Sequence, residues 1–139
     1  MTTYQNAAQA PATRGRALTI TLWVGQVLLG AFFIFGGGIK LIGSPEVTGA
    51  FQQIGLGTWF QYFTGACELA GGIGLLTPRL AGLAAAGLVG VMVGAVTVNV
   101  TALGTPEVAP FPAALGVVFA LIAYTRRYEI RDLLSVLRR

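Results

Sequence analysis

Histidine is missing from this 139-residue chain, and cysteine occurs once, as Cys67. A tetrahedral metal site, a haem or an internal dithiol relay each finds too few ligands or thiols here, so no metal site and no intrinsic cofactor is expected. Charge is scarce too. Charged residues make up 10% of the chain, against about a quarter in soluble domains. The nine basic residues outnumber the five acidic ones, but they cluster at the ends of apolar runs rather than in a stripe interleaved with aromatics. Nucleic acid is therefore not an expected partner.

What remains is apolar: 55% of residues are hydrophobic, and twenty are glycine. Glycine is costly in water-soluble helices but common in membrane helices, where it lets backbones approach closely. The expected fold class is an all-α membrane protein, a four-helix transmembrane bundle with both termini cytoplasmic.

Residues 1–16 are small and polar, contain Pro11 and end in Arg14 and Arg16, which reads as a flexible cytoplasmic tail. The membrane domain is expected over residues 17–125. Its first apolar run, from Ala17 to about Ile39, is long enough at ~1.5 Å per residue to cross a hydrocarbon layer of about 30 Å. It is also longer than a secretory signal core, and further spans follow. After Lys40, Ser44 reads as an N-cap, Pro45 as the first helical residue and Glu46 as its dipole complement. A short interfacial helix with its stop at Gly55 is expected there.

The second span is expected from Trp59 to Leu76, entered through an aromatic anchor that includes Phe60, Tyr62 and Phe63. Thr77 reads as a cap and Pro78 as the start of a third span over Arg79 to Val100. A fourth span is expected over Phe111 to Tyr124. Residues 126–139 mix arginines with Ile130, Leu133, Leu134 and Leu137, which predicts a basic amphipathic cytoplasmic helix on the membrane surface.

With four spans, Arg14, Arg16, Arg79, Arg126, Arg127, Arg131, Arg138 and Arg139 fall on one side and Lys40 alone on the other. The positive-inside rule then places both termini in the cytoplasm of an inner membrane.

Small residues four apart predict packing faces: Gly82, Ala86, Gly90 and Gly94 on the third span, and Ala113, Gly116, Ala120 and Ala123 on the fourth. On the first span Gln26, Gly30, Phe33, Gly37 and Lys40 lie on one seam; on the second, Gln61, Gly65, Glu68 and Gly72 do the same. Glu68 is the one acid deep inside a span, and an intramembrane acid is by default a functional candidate; the alternative is a protonated structural clamp hydrogen-bonded between helices. It lies roughly 12 Å below the outer interface by helical rise, and two side chains bridge about 10 Å, so a direct pair with Lys40 needs a favourable helix offset. Gln26, Tyr62, Thr64 and Asn99 are alternative hydrogen-bond partners. Cys67, a lone thiol beside an acid with nothing in the sequence to activate it, reads as packing.

Three stretches taken together, Gly36-Gly37-Gly38-Ile39-Lys40-Leu41, Cys67-Glu68-Leu69-Ala70-Gly71-Gly72 and Leu75-Leu76-Thr77-Pro78-Arg79, resemble the DoxX-like membrane proteins over about Leu18 to Tyr124. The resemblance implies a four-helix membrane bundle. It also implies kinship with a small subunit of a thiosulfate-quinone oxidoreductase, with methylamine-dehydrogenase maturation proteins and with redox-associated membrane proteins. The family's glutamate and lysine fall on Glu68 and Lys40. No catalytic mechanism comes with the resemblance, and no independent catalytic residue is assigned.

Three functions compete. The first is an accessory or redox-associated subunit whose lipid-facing cleft takes a quinone or lipid. The second is an anchor or assembly factor that docks a membrane or membrane-associated protein, or its own copies as an oligomer. The third is a path for protons or a small molecule.

Overall fold

The computed structural model describes residues 10–139, whose regular elements are six helices: α1 (Ala10–Ile42), α2 (Pro45–Ile54), α3 (Thr58–Leu76), α4 (Ala81–Thr101), α5 (Pro110–Thr125) and α6 (Arg127–Leu137). No strand occurs among the described residues. α1 starts seven residues before the expected Ala17. Pro11 falls in the first turn, where a backbone N–H has no helical acceptor to lose, so it is no barrier to starting there. The part of the expected flexible tail over residues 10–16 is thus helical, and residues 1–9 lie outside the described residues.

α2 begins and ends as its sequence suggests. The Val47 backbone N–H donates to Ser44 Oγ at 3.5 Å, Pro45 opens the helix, and Gly55 closes it with a φ of 80°, a left-handed conformation that glycine adopts without penalty. The carboxyl of Glu46, fully exposed, is held below its ordinary range by its own backbone N–H and by the Ser44 side chain.

The α3–α4 connection differs from expectation. Thr77 does not cap α4: its hydroxyl turns back to donate to the Ile73 carbonyl at 3.0 Å, and its backbone N–H donates to Gly74. Pro78 to Leu80 form a turn and α4 opens at Ala81. The connection remains short, and α3 and α4 run antiparallel.

α1, α3, α4 and α5 pack side by side in that order, and Phe33 of α1 meets Phe119 of α5 edge to face at 5.2 Å between ring centroids. That contact closes the bundle around Phe33, Leu75, Ala85, Leu88, Met92, Phe119 and Ile122. Large apolar side chains also cover the outside, including Leu28, Phe35, Val93, Phe111, Val117 and Leu121, while Gln26, Gln61 and Glu68 are buried. This distribution inverts that of a water-soluble protein. Two helices, α1 from Gly15 and α4, are long and apolar enough to cross a membrane, and α5 is a shorter apolar helix.

α1 and α3 bring their backbones into direct contact. A β-carbon at Gly37 would lie 2.6 Å from the Gly65 carbonyl oxygen, and one at Gly72 would lie 2.7 Å from that of Gly30. Both distances are shorter than any non-bonded carbon–oxygen contact tolerates, so only glycine permits this backbone approach. The two seams share one spacing: Gln26, Gly30, Phe33, Gly37 and Lys40 on α1 match Gln61, Gly65, Glu68, Gly72 and Leu75 on α3. The helices therefore meet as a pseudo-twofold antiparallel pair.

The stripe read as a packing face of α4 does not pack within the chain. Gly82 does, since a β-carbon there would strike the Arg126 carbonyl at 2.8 Å, but Gly90 and Gly94 have nothing within 4 Å and Ala86 is exposed. α4 packs through Ala81, Ala85, Leu88 and Met92 instead. On α5, a β-carbon at Gly116 would lie 3.3 Å from Met92 Cβ and Ala123 packs against the core, but the buried positions are Pro112, Phe119 and Ile122, while Ala113 and Ala120 face outward. Spacing by four identifies a helix face without saying which neighbour it meets, and on α4 the packed face is the adjacent one of Ala81, Ala85, Leu88 and Met92.

Candidate functional site

The site is built where the two seams bring opposite charges together. Lys40 lies in the last turn of α1, and its carbonyl, left over by the helix, accepts from Gln61 Nε2 of α3 at 2.8 Å. Its side chain reaches α3, and Nζ donates to Glu68 Oε2 at 2.7 Å. Small neighbours leave room for this meeting: a β-carbon at Gly65 would lie 2.9 Å from Lys40 Cβ, and one at Gly36 would lie 3.6 Å from Glu68 Oε2. The glutamate side chain is 10% exposed and the lysine 23%. The pair is thus largely removed from solvent and neutral as a unit, while Glu68 Oε1 and two lysine N–H groups have no protein partner among the described residues.

Lys40 and Glu68 form part of the wall of a cleft of about 520 Å³ between α2, α3 and α4, within the range of about 300–1,000 Å³ usual for small-molecule sites. Phe51 and Ile54 of α2 and Phe60 and Phe63 of α3 supply an aromatic and aliphatic side. Gly87, Gly90 and Gly94 of α4 line the opposite side, where the lack of side chains leaves the groove open. Thr64, Cys67 and Asn99 add the remaining polarity. The unpacked glycines of α4 are therefore a lining of this cleft.

The alternative partners of Glu68 lie elsewhere or are occupied. Asn99 lines the cleft, but its Nδ2 donates to the Ala95 carbonyl at 2.8 Å and its Oδ1 accepts from Thr105 Oγ1 at 3.1 Å. Thr64 lines the cleft without bonding Glu68, and Tyr62 is largely exposed. Gln26 sits at the other end of the seam, where its Nε2 donates to the Leu75 carbonyl at 3.0 Å. This mirrors the Gln61 bond to Lys40: each helix supplies a glutamine that satisfies a leftover carbonyl in the last turn of the other. Gln61 Oε1 is buried without a partner, an uncommon state for a polar atom in a finished protein.

A second polar cluster surrounds Gln26, and sequence reasoning missed it. Arg126 Nε donates to Gln26 Oε1 at 2.9 Å, Arg126 binds Glu129 Oε1 at 2.6 Å, and its guanidinium lies 5.0 Å from the Trp23 ring centroid. Glu129 Oε2 accepts from the Gly82 N–H at 3.4 Å. The signal available was the i, i+3 spacing of Arg126 and Glu129 directly after the last apolar run; the hundred-residue separation of Arg126 and Gln26 is not visible in any local pattern.

An all-helical bundle that is apolar outside, polar at chosen points inside and joined between two helices by an ion pair defines a class of small membrane-like helical proteins. Within that class the assignment is specific. The chain belongs to the DoxX-like family, whose family model matches residues 24–122. No curated protein and no solved structure matches it.

Proposed function

We propose that this chain is a multi-pass inner-membrane protein of four spans, α1, α3, α4 and α5, and that it holds a membrane-soluble amphiphile, a quinone or a lipid, in the cleft beside Lys40 and Glu68. It would serve as an accessory or redox-associated subunit rather than an independent catalyst. The observation that carries this reading is the position of the ion pair in the wall of an otherwise apolar groove. A hydrophobic body gains from the aromatic side of the groove. A ligand oxygen finds either a lysine N–H to accept from or a carboxylate oxygen to donate to, in surroundings of low dielectric that strengthen both bonds. The inverted exterior and the two long apolar helices support the membrane placement.

The second reading, an anchor or assembly factor, is favoured by one feature: the open glycines of α4 could receive a helix of a partner or of a second copy as readily as a ligand. Transport ranks last, since a neutral pair in a one-sided groove defines no path across the bundle.

Ligand binding by the purified chain separates the readings, and Gly90→Phe tests whether it occurs in the groove. A β-carbon at Gly90 meets nothing, so the added ring fills the groove without disturbing the bundle. The purified wild-type protein is expected to retain an amphiphile detectable by mass spectrometry and to bind a short-chain quinone saturably, with affinity falling at least about tenfold in Gly90→Phe, a loss of about 1.4 kcal/mol. Absence of both retention and saturable binding in the wild type would remove the ligand reading.

A further inference from the structure

We infer that α6 is a docking surface for the anionic phospholipid headgroups of the bilayer in which the bundle sits, which rests on the membrane reading of the bundle and not on the cleft. α6 has no buried residue. It is fastened at its first turn, through Arg126, Glu129 and the packing of Ile130 against Gly82. Beyond that turn its apolar face is uncovered: Leu134 is 56% exposed and Leu137 82%.

The neighbouring stripe is basic. Arg127, Arg131, Leu134 and Arg138 follow helical spacing along one edge of the apolar face. The segment from Arg126 to Arg139 holds five arginines against two acids, a net of +3 out of the chain's +4. Glu129 is taken up by Arg126, which leaves Asp132 as the one acid of α6 outside that cluster.

A lipid surface fits this face better than water does, because arginine stems cover apolar surface while their guanidinium groups reach phosphate. The stripe also continues an apolar exterior already on α5. The Arg127 guanidinium lies 4.3 Å from the ring centroid of Tyr124 and 4.9 Å from that of Tyr128, and both rings are exposed. Tyrosine at the junction of an apolar helix and a basic one is the composition of a membrane interface. Arg131 and Arg138 are exposed and form no side-chain bond within the chain among the described residues, so they are free to meet phosphate.

The test uses the full chain in nanodiscs of phosphatidylcholine alone or with phosphatidylglycerol. Incorporation into either disc reports on the membrane reading, and hydrogen exchange over residues 127–137 reports on α6. Exchange in α6 is expected to slow on the order of tenfold when phosphatidylglycerol is present, since each arginine near an anionic surface contributes a favourable term. Salt should reverse the slowing. Arg131→Gln/Arg138→Gln should abolish it while α1 and α4 exchange unchanged. Equal protection in both lipids, fast exchange in both, or a double variant that keeps the lipid response would each overturn the inference.

Discussion

Lys40 and Glu68 stand 2.7 Å apart between two helices, and each makes the other tolerable. A lone buried charge is far more expensive than a buried pair, because desolvation is then offset by nothing. Lys40→Met should therefore destabilise the bundle by about 3–5 kcal/mol, since Glu68 loses its cation. The double variant Lys40→Met/Glu68→Leu, apolar at both positions, should recover most of that loss. Unfolding in mild detergent, followed by helical circular dichroism for the two single variants and the double, measures the coupling. Losses that simply add would mean that the two groups do not depend on each other, and the ion pair would no longer define the site.

At the scale of elements, the α1–α3 seam decides where those two side chains meet. In Gly72→Ala the new methyl would sit 2.7 Å from the Gly30 carbonyl and 2.8 Å from the Ile34 N–H, so the helices must part. The expected loss is about 1–3 kcal/mol from overpacking, although alanine is the better helix former by about 1 kcal/mol. Gly90→Ala, which meets nothing, should be neutral or slightly stabilising in the same assay. Equal effects at both positions would contradict the close approach. The seam was legible in the sequence because Gln26, Gly30, Phe33 and Gly37 repeat at helical spacing, as do Gln61, Gly65 and Glu68; period and residue size together specify a close contact. The bounds of α2 were legible for a similar reason, since Ser44, Pro45 and Gly55 each suit one backbone conformation. Which neighbour a small-residue stripe faces was not legible, as Gly90 and Gly94 of α4 demonstrate: tertiary packing alone assigned them to a groove. The lining of the cleft was equally hidden, because its sides come from three helices whose offset no local pattern encodes, and so was the role of Arg126, whose partner Gln26 lies a hundred residues away.

For the whole molecule, the two ends of the bundle differ in charge more sharply than the count of basic residues suggests. Among the described residues Lys40 is the only basic side chain at the α2 end, and Glu68 neutralises it. The opposite end carries Arg79, Arg127, Arg131, Arg138 and Arg139 besides the Arg126 cluster. Free positive charge resists transfer across a membrane, so the arginine end is expected to stay in the cytoplasm and α2 to face outward. Single cysteines on a Cys67→Ala background test this, since Ser135 on α6 and Gln52 on α2 are both exposed. In intact cells a membrane-impermeant maleimide should label Gln52→Cys and leave Ser135→Cys untouched until the membrane is permeabilised. The reverse pattern would invert the topology. Labelling of both sites in intact cells would put α2 and α6 on one side, which four spans between antiparallel neighbours do not allow, and the reading of α3 and α5 as full spans would then have to be abandoned.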